Sequence, residues 1–236
     1  MHRAIRAGLA RILPEHALSH LLGELRISAK RAVHSRSVRR RLACVRDRRV
    51  NIGCGSRPTA GWINLDLWPL QSAFFWDCRR GLPFADNTVT AIYTEHVFEH
   101  LDLETEAKRF LRECRRCLQP DAVLRIVVPD AGAYLRAYGQ TWAPLAAMRP
   151  LEPTDEGWRD PWLGDIYQTQ MQLINAVFRQ REEHKYAYDE ETLTLLLREA
   201  GFSQIIPQRF AVSIDEQMAP DNEARQNESL YIEAVK

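Results

Sequence analysis

The sequence predicts a doubly wound α/β domain. From about residue 49 onward, short apolar runs alternate with stretches of helical periodicity. One such run, Val50-Asn51-Ile52, enters a loop holding Gly53-Cys54-Gly55, and the next, Trp62-Ile63-Asn64-Leu65, ends on Asp66. The apolar content of 45% over 236 residues is enough for one well-buried core with modest additions.

In chain order, the apolar runs place strands near 49–53, 62–66, 73–77, 89–94 and 122–128, with two more at 204–210 and 230–235. A helix over 103–118 joins the fourth strand to the fifth on the spacing of Leu103, Ala107, Phe110, Leu111, Cys114 and Leu118, and it must stop before Pro120. A second helix carries Leu193, Leu196, Leu197 and Ala200, with Asp189 as its N-cap and Gly201 just past its end. Only Ser56 to Gly61 separate the first glycine loop from the second strand, too few for the usual crossover helix. That helix is therefore reduced to a turn. After the fifth strand an insert at about 131–187 is rich in aromatics: Tyr134, Tyr138, Trp142, Trp158, Trp162, Tyr167 and Phe178, with Arg149, Arg159 and Arg181 as cationic points. Two readings stand, a lid over an acceptor pocket and a helical subdomain or dimer face whose aromatics are core.

Charge divides the chain into a basic segment, 1–45, and a domain, 46–236. Residues 1–49 hold 13 Lys or Arg against Glu15, Glu24 and Asp47, whereas the remainder has 19 basic and 28 acidic residues. Met1 to Leu13 has the mix of an amphipathic helix, which either packs on the domain or rests on an anionic membrane surface; a transit peptide is a further reading. No apolar run approaches the roughly 20 residues that span a bilayer. Five cysteines without a secreted framework fit a reducing cytoplasm, peripheral at most to the inner face of the membrane. Cys114-Arg115-Arg116-Cys117 has CxxC spacing, but Cys114 falls in a helical core pattern and Cys117 is unassigned.

The glycine loop and Asp66 predict a nucleoside-containing cofactor. Glycines let a backbone approach a ligand, and a carboxylate at a strand end accepts from both hydroxyls of a ribose. A dinucleotide fingerprint needs a third glycine and an acid about 20 residues on. Here Ser56-Arg57-Pro58 follows Gly55, and Asp66 comes 11 residues after it. A P-loop would close on Lys-Ser or Lys-Thr, and none is present.

The pattern resembles motif I and the next acidic position of class I S-adenosylmethionine-dependent methyltransferases, of the bacterial type 11 kind. The likeness extends through Asp77 at the end of Ala73-Phe74-Phe75-Trp76, through Leu82-Pro83-Phe84 and the fourth strand, and through Thr94-Glu95-His96-Val97-Phe98-Glu99-His100-Leu101, which matches motif IV. It ends on Cys117-Leu118-Gln119-Pro120-Asp121, where Asp121 replaces the usual glycine of a turn. The resemblance implies a Rossmann-like seven-stranded sheet with an antiparallel last strand. It also implies S-adenosyl-L-methionine as cofactor, with Gly53 and Gly55 at the methionine end beside Asn51 and Cys54, Asp66 at the ribose, Asp77 at the adenine, and Leu65, Cys78 and Thr94 nearby.

A sulfonium methyl donor leaves the protein mainly to align the acceptor and remove a proton, and histidine suffices for the second task. His96, His100 and His184 are the candidates; the other histidines lie in the basic segment. His96, Glu99 and His100 also stand at i, i+3 and i+4, which can converge on a metal with His184 as a fourth ligand. A few RNA and quinone-pathway methyltransferases are similar, with glutamate in place of His96. The favoured reading has no metal and a small-molecule acceptor, of saccharide or lipid-linked envelope-precursor type by weak analogy. Nucleic acid is disfavoured because the domain is net acidic. The alternative is a non-catalytic cofactor-binding module recruited through its basic N-terminus; oligomeric state is open.

Overall fold

A computed structural model describes residues 14–70, 72–215, 218 and 220–236. The expected amphipathic stretch Met1 to Leu13 lies outside the described residues. Ten strands are described: β1 Arg48–Ile52, β2 Ile63–Asp66, β3 Ala73–Phe75, β4 Val89–Glu95, β5 Leu118–Pro129, β6 Glu152–Thr154, β7 Gly157–Arg159, β8 Ile166–Tyr167, β9 Gln204–Gln208 and β10 Ser229–Val235. The α-helices are α1 Glu15–Ala43, α2 Lys108–Cys117, α3 Ala131–Ala137, α4 Trp142–Met148, α5 Gln170–Arg179 and α6 Glu190–Glu199.

Seven strands form one sheet in the order β3-β2-β1-β4-β5-β10-β9. Its first five members pair in parallel, and β10 runs antiparallel to both β5 and β9. This is the Rossmann-like sheet with an antiparallel last strand. The central strands are apolar on both faces because both are covered. Ile52, Ile92, Leu124 and Ile126 face the main core with α2 and α6, while Ala91, Tyr93, Val123 and Val127 face a smaller cluster with Met218 and Tyr231.

The short crossover between β1 and β2 contains no helix. Polar side chains hold it instead: Asn51 Nδ2 donates to Thr59 Oγ1 at 3.1 Å, the Thr59 amide donates to Asn64 Oδ1 at 2.8 Å, and Asn64 Nδ2 returns to the Thr59 carbonyl at 2.9 Å. Both asparagines are buried, and these bonds satisfy their amides. Asp121 takes up the left-handed conformation of the glycine it replaces, at φ +62°, which Asp tolerates better than most residues.

Helix α6 is capped as its sequence predicts, with the Asp189 side chain accepting from the Thr192 amide and Gly201 at φ +91° beyond its end. The helix expected over 103–118 opens as a π-turn over Leu103–Ala107 before α2 begins. Cys114 and Cys117 both lie fully buried beneath it. Helix α1 packs on the domain: Val38 and Leu42 belong to the main core. Among the described residues, no helix is long and apolar enough to cross a membrane.

The insert has a core of its own, built on Tyr134, Leu145, Tyr167 and Leu173, with Trp142 stacked on Trp158 at 5.3 Å. It is fastened to the sheet by Arg149, which donates to Asp160 at 2.7 Å and to Glu228 at 3.0 Å.

Candidate active site

A cavity of about 1180 Å³ opens at the carboxyl ends of β1, β2 and β4. Chain order reverses between β1 and β4, and in open α/β sheets ligands bind at that switch point. The volume exceeds the upper end of the usual range for a single small ligand, roughly 1,000 Å³, so it has room for a cofactor and an acceptor together.

The floor comes from the glycine loop. Gly53 has φ +73°, and a Cβ there would lie 2.1 Å from Val97 Cγ2. A side chain there would have to push the Val97 side chain aside. Asp66 faces the cavity from the end of β2. Its Oδ2 accepts from the Gly55 amide at 2.8 Å and its Oδ1 from the Trp68 amide at 2.6 Å. A carboxylate has about four acceptor positions, so each oxygen keeps one for a ligand hydroxyl. Leu65 and Cys78 line the same region, and burial pushes the Cys78 thiol up to about 12, which keeps it neutral. An apolar slot beside a carboxylate set to take two hydroxyls fits a nucleoside.

Other expected cofactor contacts are placed differently. Asn51 braces the β1–β2 loop, as described above. Cys54 is buried, with its thiol raised to about 11 by burial and by Asp66. Gly55 contributes through its amide to Asp66. Thr94 is fully buried, and its hydroxyl has no hydrogen-bond partner. None of these four lines the cavity.

Asp77 does not line it either. Its carboxylate accepts from Arg31 Nη1 at 2.9 Å and from Arg79 Nε at 2.9 Å. Burial would raise its pKa, but the arginines outweigh burial and hold the carboxyl below the usual carboxylate range. Because both oxygens are taken by guanidinium groups, Asp77 orders this wall rather than offering an acceptor to an adenine. Arg79 reaches on to Glu24 of α1 at 2.7 Å. His20, Glu24 and Ile27 of α1 line the cavity as well. No motif in the sequence marks α1 as part of the site.

The histidines occupy three distinct positions. His96 directly follows β4 at φ +51° and faces the cavity. Arg225 Nη1 lies 2.9 Å from its Nδ1, and Ser229 Oγ lies 3.0 Å from its Nε2. A guanidinium only donates, so Nδ1 accepts and Nε2 carries the proton toward Ser229. His100 also faces the cavity, with Nδ1 3.2 Å from the Glu183 carbonyl. His184 lies behind it, ring to ring at 4.7 Å, with Nδ1 2.7 Å from the Val177 carbonyl. Burial lowers the His184 pKa and favours the neutral ring. Glu99 stands among the three, 1% exposed. Arg225, Ser229 and the central place of Glu99 are not visible in the sequence, since the contacts of His96 with Arg225 and Ser229 span 129 and 133 residues.

From the insert, the cavity takes the polar stretch Arg179, Arg181, Glu182, Glu183 and Lys185 rather than the aromatic side chains. Of the insert's aromatics, Tyr134 and Tyr167 are buried in its own core with Trp142, Trp158 and Phe178 packed against them, Trp162 lies under Arg149 and Arg225, and Tyr138 is exposed.

Residues 76–126 match the family model described as a methyltransferase domain. No curated protein matches the chain. Among solved structures, a SAM-dependent methyltransferase from Archaeoglobus fulgidus is similar at 16% identity, covering 91% of this chain and 94% of that one with a TM-score of 0.48. A possible histamine N-methyltransferase from Thermotoga maritima is similar at 16% identity over 80% of this chain and 81% of that one, with a TM-score of 0.46. A methyltransferase from Mesorhizobium loti follows at 15% identity, 85% and 96% coverage, and a TM-score of 0.44. The matched segment runs from the end of β3 into β5 and so includes His96, Glu99 and His100.

Proposed function

We propose that this chain, a class I S-adenosylmethionine-dependent methyltransferase, methylates a hydroxyl-bearing small molecule of saccharide or lipid-linked envelope-precursor type. The observation that carries the acceptor class is the polar wall opposite the nucleoside end: His100, Arg181, Glu182, Glu183 and Lys185 suit a ligand rich in hydroxyls. When bound, the cofactor supplies an electrophilic methyl group on a sulfonium. The chain's own residues bind and position. Asp66 holds the ribose hydroxyls, Gly53 lets the backbone come close to the methionine end, and Leu65 and Cys78 form the apolar seat of the adenine. His96 and His100 border the half of the cavity left for the acceptor.

A lipid-linked acceptor is favoured by a second observation. Helix α1 exposes Leu21, Leu25 and Val33 at 39%, 55% and 71%. They are interspersed with the Lys and Arg side chains in which this helix is rich. Such a basic surface with exposed apolar points suits peripheral contact with an anionic bilayer, close to the cavity wall that α1 provides.

Calorimetric titration of the cofactor into wild type and Asp66→Ala tests the cofactor half, with affinity expected to fall on the order of 100- to 10,000-fold for two lost charge-assisted hydrogen bonds. Transfer of labelled methyl from the cofactor to free sugars, nucleotide sugars and polyprenyl-linked saccharides tests the acceptor half. Label entering only protein or RNA would overturn the acceptor reading while leaving the cofactor reading intact.

A further inference from the structure

We propose that Glu99, His100 and His184 form a site for one divalent first-row transition metal ion at the edge of the cofactor cavity. One ligand atom from each lies within 4.8 Å of the others. Tetrahedral zinc ligands stand roughly 3.4 Å apart, so the three side chains would close on an ion by drawing together slightly.

The carboxylate is the strongest sign. Glu99 is 1% exposed, and neither of its oxygens has a hydrogen-bond partner. The nearest ring nitrogens are His96 Nδ1 at 3.4 Å and His184 Nε2 at 3.9 Å. His96 does not donate there, because its Nδ1 already accepts from Arg225. A buried carboxylate left without donors is costly, and a cation among these three side chains would offset that cost.

The histidines are also set to ligate. A backbone carbonyl only accepts, so the bonds from His184 Nδ1 to Val177 and from His100 Nδ1 to Glu183 place the proton on Nδ1 in each ring. Each Nε2 is then left with its lone pair, the outer-sphere arrangement that orients metal-binding imidazoles. The ligand set differs from the i, i+3, i+4 trio in the sequence: His184 enters it and His96, held by Arg225 and Ser229, stays out. Two imidazoles and one carboxylate suit zinc, cobalt, iron or manganese better than magnesium or calcium. Three protein ligands would leave room for a further ligand on the ion, and His100 lines the cavity from which one could come. There the ion would bind an acceptor hydroxyl and make it more acidic. That role rests on the methyl-transfer reading, whereas the metal binding does not.

The test uses the full chain without a tag, freed of metal by chelator and titrated with Zn²⁺ or Co²⁺ alone. One equivalent retained after dialysis is expected, and bound Co²⁺ should give the visible absorption of a nitrogen and oxygen ligand set. His100→Ala and Glu99→Gln should each weaken binding by more than the roughly 10- to 100-fold that loss of an outer-sphere partner costs. His100 is partly exposed, so its variant decides the matter even where Glu99→Gln does not fold, and thermal melts by circular dichroism identify that case. Failure of the wild type to retain metal, or wild-type affinity in folded His100→Ala, would overturn the proposal. Cofactor titration on the same metal-free samples reads the other function separately, and its failure with metal retained would count against the cofactor reading alone.

Discussion

At the scale of single residues, burial separates groups that the sequence presents alike. The five cysteines look equivalent as letters, yet Cys44 is exposed and Cys54, Cys78, Cys114 and Cys117 are buried and free. Burial pushes the thiols of Cys78 and Cys117 up to about 12, so neither access nor ionisation favours reaction. Thiol titration of the native protein is accordingly expected to modify one cysteine quickly and all five only after unfolding; fast modification of a second would show that α2 or the glycine loop opens. The same contrast governs the site. Asp66 and Asp77 are both acids at the ends of apolar runs, and the resemblance assigns each to the cofactor. What distinguishes them is their donors. Asp66 meets two backbone amides and keeps free lone pairs, whereas Asp77 meets Arg31, 46 residues earlier, and Arg79. The charge pairing that decides this comes from a helix outside the motif, so motif spacing could not reveal it.

At the scale of elements, legibility followed locality. β1, β2, β4 and β10 fall within a residue of their expected bounds, because alternating or continuous apolar runs mark them directly. Helix α6 was legible through its cap. Helix α5 carried an equally local signal, the capping box of Thr169 and Gln172, which the aromatic character of the insert obscured. β3 ends at Phe75, two residues short of the expected bound, because Trp76 turns inward and its indole donates to the Gly81 carbonyl at 2.7 Å. Helix α1 was legible as a basic segment but not as a wall of the cavity, since its mixed pattern names no partner. Its exposed apolar residues make a prediction of their own. Wild-type protein is expected to sediment with vesicles containing anionic lipid, and Leu25→Ser with Val33→Ser should reduce that several-fold. Neither side chain is part of the core, so thermal stability should stay within about 0.5 kcal/mol, as for ordinary surface substitutions. Equal pelleting of wild type and variant would remove the membrane-facing role from α1.

At the scale of the whole molecule, one device recurs. The parallel sheet is held by apolar packing, and each added segment is fastened to it by guanidinium and carboxylate groups that are wholly or largely buried. Arg31 and Arg79 meet Asp77 beneath α1, and Arg149 joins the insert to Glu228. On the far face, Arg125 of β5 is fully buried between Asp221 and Glu233, at 2.9 Å from the latter, and donates to the Val212 carbonyl at 2.7 Å. Asp221 in turn accepts from the Ala211 amide and Glu233 from the Ile214 amide, so one arginine organises the loop between β9 and β10. Such clusters add little net stability against an apolar equivalent, but removing one partner leaves the others charged and buried. Arg125→Met is therefore expected to cost about 3–5 kcal/mol, which for a domain of this size lowers Tm by about 2–4 °C per kcal/mol. Neutralising the stranded acids in Arg125→Met/Asp221→Asn/Glu233→Gln should recover part of that loss, because the remaining cost is then unsatisfied amide and carbonyl groups rather than unpaired charge. Denaturant melts of the single and triple variants measure both steps. A triple variant less stable than Arg125→Met would mean that the two carboxylates are held by the loop amides alone, and that the arginine is not the organising charge of that face.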